Sequence, residues 1–146
     1  MRRPVALLLA ALAAACTEPA TTANTHDFGG VWRYTETMTD VPNGITCDAT
    51  GQYRLTQMGM MFHGDYVQTG LCQTPTGVIN NADSGGVANG LVIGRTLRFR
   101  AVPYCDYDGA LDPASGRIAG RLLCILVGGG DSLTLQGMWS ATRPAP

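Results

Sequence analysis

Residues 47–72 constrain the fold more than any other part of the chain. Their centre reads Gln52-Tyr53-Arg54-Leu55-Thr56-Gln57, then Met58-Gly59-Met60-Met61, then Phe62-His63-Gly64-Asp65-Tyr66. Apolar or aromatic side chains alternate with polar ones on both sides of a glycine. A period of two marks strands with one buried face, and the glycine supplies the positive φ of a tight hairpin turn. With Gly59-Met60 at the tip, Tyr53 faces Tyr66, Leu55 faces Gly64 and Cys47 faces Cys72. All three pairs share one face, so a cross-strand Cys47–Cys72 disulfide follows from the register.

The same rule applies downstream. Cys105-Asp106-Tyr107-Asp108-Gly109-Ala110-Leu111 and Arg117-Ile118-Ala119-Gly120-Arg121-Leu122-Leu123-Cys124 flank a turn rich in turn formers. Setting Leu111 opposite Ile118 puts Gly109 opposite Gly120 and Cys105 opposite Cys124, a second bridge. The last strand then sets Gly120 opposite Trp139, a small residue making room for a large one. Residues 73–85 read as the longest connection, within which Val78-Ile79 has the makings of a short strand. Pro103 closes another strand, because it cannot donate to a ladder. No helical period occurs outside the N-terminal leader. Eight antiparallel strands joined in sequence fit a small all-β up-and-down barrel, since closure removes exposed edges.

Alternation assigns Trp32, Tyr34, Tyr53, Leu55, Phe62, Tyr66, Leu97, Phe99, Tyr107 and Trp139 to the barrel interior. Two arrangements fit that set: a filled core, or a small pocket with tyrosine hydroxyls as polar handles.

The N-terminus carries an address. Met1-Arg2-Arg3 is basic, residues 4–15 are apolar but too few to span a bilayer, and small residues precede Cys16. This is a secretion leader. Leu12-Ala13-Ala14-Ala15-Cys16 resembles the lipobox of bacterial lipoproteins. The resemblance implies that Cys16 becomes a lipidated N-terminus anchored in a membrane, with Thr17 after it implying the outer membrane of a Gram-negative envelope. An ordinary signal peptidase cutting after Ala15 would instead leave Cys16 free. Parity weighs toward the lipid: of five cysteines four form bridges, and an odd thiol is a liability in an oxidising compartment. The expected organisation is a leader over 1–15, a lipidated cysteine with a flexible polar tether over 16–27, and the barrel over 28–143.

Charge excludes some functions. The chain has no lysine, and two of its ten arginines lie in the leader, so its eleven acids outnumber the arginines of the mature protein. That argues against nucleic acid as a partner and rules out Schiff-base chemistry on lysine. Arg98 and Arg100 share a strand face and read as a solvated wall. His63 and Asp65 alternate on one face without a nucleophile beside them, and Asp106 and Asp108 read as a solvated pair. The glycines at 128–130 precede a strand and lack the lysine and helix of a phosphate loop. No catalytic residue, metal or cofactor is expected, and the protein is read as a binder.

Gly30-Val31-Trp32 resembles the opening motif of the lipocalins, within the calycin group of barrels. That resemblance implies a tryptophan at the closed end, with Arg143 in the place of a late arginine packed over it. Avidin-like barrels share the same opening. It also implies an interior that holds a ligand, so the first functional expectation is a lipid-anchored envelope protein binding a small hydrophobic molecule or lipid. The alternative is a protein-interaction module, such as an inhibitor of an envelope hydrolase, using loops around a filled barrel. An interior cavity of roughly 300 Å³ or more distinguishes the first from the second.

Overall fold

The computed structural model describes residues 26–128 and 131–145. The leader, Cys16, most of the tether and the glycines at 129 and 130 lie outside them. Alternating stretches become nine strands: β1 (Gly30–Asp40), β2 (Ile45–Met58), β3 (Met61–Thr74), β4 (Gly77–Asn80), β5 (Asp83–Ile93), β6 (Thr96–Ala101), β7 (Cys105–Asp112), β8 (Arg117–Gly128) and β9 (Asp131–Thr142). Eight of these close an antiparallel barrel. Each pairs with the next in sequence, β3 with β5 across the insertion of β4, and β9 returns to β1. The described residues contain no helix.

The registers are those that alternation requires. Tyr53 pairs with Tyr66, Cys47 with Cys72, Leu111 with Ile118, Cys105 with Cys124, and Gly120 with Trp139. Both cysteine pairs are disulfides.

Residues 73–85 are more regular than the connection expected there, and Val78-Ile79 do form the short strand the sequence allowed. Strand β3 runs on to Thr74, Pro75-Thr76 make a turn completed by Gly77 at a φ of 141°, and β4 pairs back along the end of β3. The β-branched Val78 and Ile79 carry that short strand, and β5 begins already at Asp83. β4 stands outside the barrel circuit, at the end of the sheet order.

The opposite end of the barrel is closed where the chain comes in. Phe28 is fully buried there, and its carbonyl accepts a hydrogen bond from the Trp32 indole at 2.9 Å. The Arg143 guanidinium lies 4.8 Å from the Trp32 ring centroid and donates to the Asp27 carbonyl at 2.8 Å. A cation over an aromatic face and a buried ring beneath it seal that end. On the wall above, the pairing of β5 with β6 slips between Ala88 and Leu91, where Asn89 takes a φ of 54°. This bulge sets Gly90 under Phe62, whose ring carbon would stand 2.6 Å from any Cβ placed there.

The disulfides close loops with sequence separations of 25 and 19, so the chain-entropy argument assigns each roughly 3 kcal/mol. Replacing Cys47 and Cys72 together by alanine should therefore lower the unfolding free energy by about 3 kcal/mol in urea titration. A loss well under 1 kcal/mol would show that the bridge adds little to a register already set by the side chains.

Candidate functional site

The ten expected interior residues are all buried, from 2% exposure at Tyr34 and Tyr53 to 8% at Leu55. The structure gathers the aromatic ones into one cluster across the barrel axis. Tyr34 stacks on Tyr53 with ring centroids 4.1 Å apart, and Phe99 stacks on Tyr107 at 4.8 Å. Trp139 meets Tyr53, Phe99 and Tyr107 edge-on at 6.2, 5.6 and 5.5 Å. These rings come from β1, β2, β6, β7 and β9, so they bridge the lumen from wall to wall.

Glycines make the room. A Cβ at Gly51 would stand 2.6 Å from the Tyr34 ring, and one at Gly109 would stand 2.9 Å from Trp139 Cζ2. Gly120 is the register partner of Trp139, yet the ring itself lies over Gly109, one strand further on, with its Nε1 donating to the Asp108 carbonyl at 2.9 Å.

Polar groups sit among these rings, and the sequence reading had not placed them there. Glu36 is 4% exposed and accepts a hydrogen bond from the Tyr107 hydroxyl at 2.8 Å. Burial pushes its carboxyl up to about 7, against a downward pull from that hydrogen bond. The Tyr34 hydroxyl donates to Gln68 Oε1 at 3.0 Å, and Gln68 Nε2 donates to the Asn81 carbonyl at 3.3 Å. Tyr66 donates to Asp83 at 2.7 Å near the rim. The Tyr53 hydroxyl is buried without a hydrogen-bond partner. Burial raises the pKa of all four phenols, and the Glu36 charge adds to the effect. They stay neutral donors at any physiological pH. The missed signal was parity itself: Glu36 lies two residues from Tyr34 on a strand whose even positions point inward, as does Asp40 at its end. The Asp40 carboxyl is held below its usual range by its bonds to Asn43 and to the Thr134 amide.

Elsewhere the candidates of the sequence separate. Asp65 lies 3.7 Å from Arg54 on the neighbouring strand, an exposed ion pair that gives His63 no second group to work with. Asp106 accepts two hydrogen bonds from Arg100, at 2.8 and 2.7 Å, which leaves Asp108 on its own. The larger hollows are outside. One of about 560 Å³ lies on the outer wall between Ile93, Arg98, Ala110 and Met138, and another of about 590 Å³ runs beside it past Arg100 and Leu123.

No family model, curated protein or solved structure matches the chain. Its site has to be read from its own geometry. The interior offers packed rings with the Glu36 carboxylate among them; the rim near β4 offers exposed apolar side chains, Val78 at 55% and Ile79 at 56%.

The carboxylate makes a prediction with a definite sign. Unfolded, Glu36 releases its proton near 4.5; folded, near 7. The folded protein binds more protons between those values, so stability falls as pH rises through that window and stays low above it. The shift corresponds to about 3 kcal/mol. Asp40, Asp106 and Asp112, all lowered from 3.8, matter only at more acid pH. Thermal melts should show the wild type most stable near pH 5 and clearly less so at pH 8. Glu36→Gln, which keeps an acceptor for Tyr107, should be nearly flat across that range. A wild type that gains stability from pH 5 to pH 8 would contradict a buried, raised carboxylate.

Proposed function

We propose that this protein is a lipid-anchored component of a bacterial envelope that acts as a protein-interaction module, docking its partner at the β4 end of a filled barrel, the loop-rich end opposite the one where the chain comes in. The observation that carries this reading is strand β4. Its Val78 and Ile79 are exposed, its pairing is with β3 on one side, and it ends the sheet order among the described residues. An exposed edge with apolar side chains is a template for an extended segment of another chain, which adds main-chain hydrogen bonds and fills alternate side-chain positions. Native proteins usually blunt such an edge with charge, and β4 carries none.

The barrel interior supports the same choice. Rings in contact across the axis leave little room for a small hydrophobic molecule or lipid, which a lipocalin-like barrel would hold there. Inhibition of an envelope hydrolase is one form the interaction takes under this reading: a rigid, disulfide-braced rim presenting a preformed edge loses little entropy on binding. Anchoring rests on the leader and on the lipobox-like sequence ending at Cys16, and the outer membrane on Thr17.

Two measurements test it. Cys16→Ser should move the protein from the membrane to the soluble fraction of the envelope; a wild type already soluble after secretion would end the anchor. A photo-crosslinker placed at position 79 in cells should yield a discrete adduct, and Val78→Glu should weaken it about tenfold, the equivalent of ~1.4 kcal/mol. The same crosslinker at position 95, on the far end, should yield no such adduct. The reverse ranking would reject the loop-rich end as the docking site.

A further inference from the structure

The end of the barrel where the chain comes in carries an apolar rim that the core does not use. At the β2–β3 turn Met58, Met60 and Met61 are 71%, 50% and 64% exposed, and Ile93, beside the β5–β6 turn, is 61% exposed. The two turns are neighbours. Met61 pairs with Leu91, and the Val92 amide donates to the Met60 carbonyl at 2.7 Å. The chain arrives between them: the His26 amide donates to the Gly94 carbonyl at 3.2 Å, while the Gln57 side chain donates to the carbonyls of His26 and Gly59 at 3.0 and 2.8 Å. The four apolar side chains therefore surround the point at which residue 26 joins the residues before it.

Folding does not require apolar side chains there. The turn needs Gly59, whose φ is 62°, but a hairpin tip in water ordinarily takes polar residues. Methionine is flexible and polarizable, suited to an irregular or fluid apolar surface. A cluster of exposed apolar side chains on one end marks a contact site.

We propose that this rim is a membrane-contact surface, with Met58, Met60, Met61 and Ile93 inserting at the headgroup boundary of the bilayer that holds Cys16. The proposal rests on the anchor reading above and adds to it an orientation and a second contact. Residues 17–25 separate Cys16 from His26, a span of about 30 Å when fully extended. The tether keeps the rim within that distance of the lipid, at an effective concentration high enough for a small patch to stay bound. The lipid holds the protein on the bilayer but leaves the barrel free to turn on its tether, and a second contact fixes its orientation. Charge does not supply that contact here, because the ionised groups of this end, Arg95, Arg117 and Arg143 with Asp27 and Asp112, largely offset one another. Insertion of apolar side chains does, and the contact should survive high salt. With the rim on the bilayer, β4 at the other end points away from it, free for a partner.

Methionine oxidation reads the contact on the native side chains. The full-length lipidated protein is placed on phosphatidylethanolamine–phosphatidylglycerol vesicles, recovered by flotation and treated with dilute hydrogen peroxide, and each methionine is followed by mass spectrometry. Met138, 59% exposed on the barrel wall, and Met38, 4% exposed in the core, are internal references. On vesicles Met58, Met60 and Met61 should oxidise several-fold more slowly than Met138. In Cys16→Ser protein free in buffer the four should oxidise at similar rates, with Met38 slow in both. Flotation with the three tip methionines as reactive as Met138 would overturn the membrane contact and leave the anchor standing. Failure to float would remove the anchor and the contact with it. Slow oxidation of the tip both on and off vesicles would mean that another copy of the chain covers the rim, which also overturns the proposal. Met60→Glu in the lipidated protein should restore fast oxidation of Met58 without abolishing flotation.

Discussion

Everything in this barrel depends on the contact of Tyr53 with the rings around it. Tyr53 is among the largest fully buried side chains, stacked on Tyr34 and edge-on to Phe99, Tyr107 and Trp139. Phe99 and Tyr107 sit on β6 and β7, across the circuit from β2, so the cluster ties opposite walls together as well as filling the space between them. Each such pair adds about 0.5–1.5 kcal/mol beyond its buried area. The glycines at 51, 90 and 109 are the counterpart of the rings: where one strand contributes bulk, a neighbour contributes its bare backbone. A side chain in any of the three positions would have to displace a ring, and a ring in a packed core has nowhere to go.

Filling the lumen with tyrosines in place of phenylalanines and leucines brings hydroxyls inside, and those groups need partners. Tyr107 finds Glu36, Tyr34 finds Gln68 and Tyr66 finds Asp83; Tyr53 finds none. The orphaned hydroxyl costs about 1–3 kcal/mol, and the buried carboxylate adds a penalty whenever it is charged. A core selected for stability alone would not carry both. One line of partners runs from the Tyr34 hydroxyl through Gln68 to the Asn81 carbonyl at the rim beside β4, while Tyr107 and Glu36 form a pair of their own.

Much of the fold was legible because a barrel of antiparallel strands obeys one rule, alternation, and the cysteines checked the register at two independent places. The same rule contained Glu36 and Asp40, which share the inward parity of Trp32 and Tyr34 on β1; a reading that followed apolar residues alone passed over them. The β4 segment was harder. Pro75, Gly77 and a run of asparagines speak for a loop, and only tertiary pairing with the end of β3 makes a strand of Val78 and Ile79. The bulge at Asn89 had a local mark, an asparagine able to take positive φ followed by a glycine inside a strand, and the structure adds that Phe62 lies over Gly90. What the sequence could not carry was the state of the lumen, since the same ten inward residues line a pocket or fill it according to barrel width and tilt.

The two ends of the barrel are held together by different means, and this divides their roles. Toward the end where the chain comes in, the interior is aromatic and aliphatic, with Phe28, Trp32 and Leu111 plugging it. Toward the other end small, polar and sulfur-bearing inward residues, Ala49, Ala101, Gln68 and Met38, stand among the aliphatic Ile45, Leu126, Leu133 and Leu135, with Met38 4.0 Å from Cys124. Packing of that kind supplies less cohesion, and there both disulfides stand, Cys47–Cys72 across β2 and β3 and Cys105–Cys124 across β7 and β8. A rim braced covalently tolerates small and polar residues in the core beneath it and can expose an apolar edge strand without fraying. The aromatic plug at the far end holds without any bridge, which leaves its turns free to carry methionines whose contribution lies outside the fold.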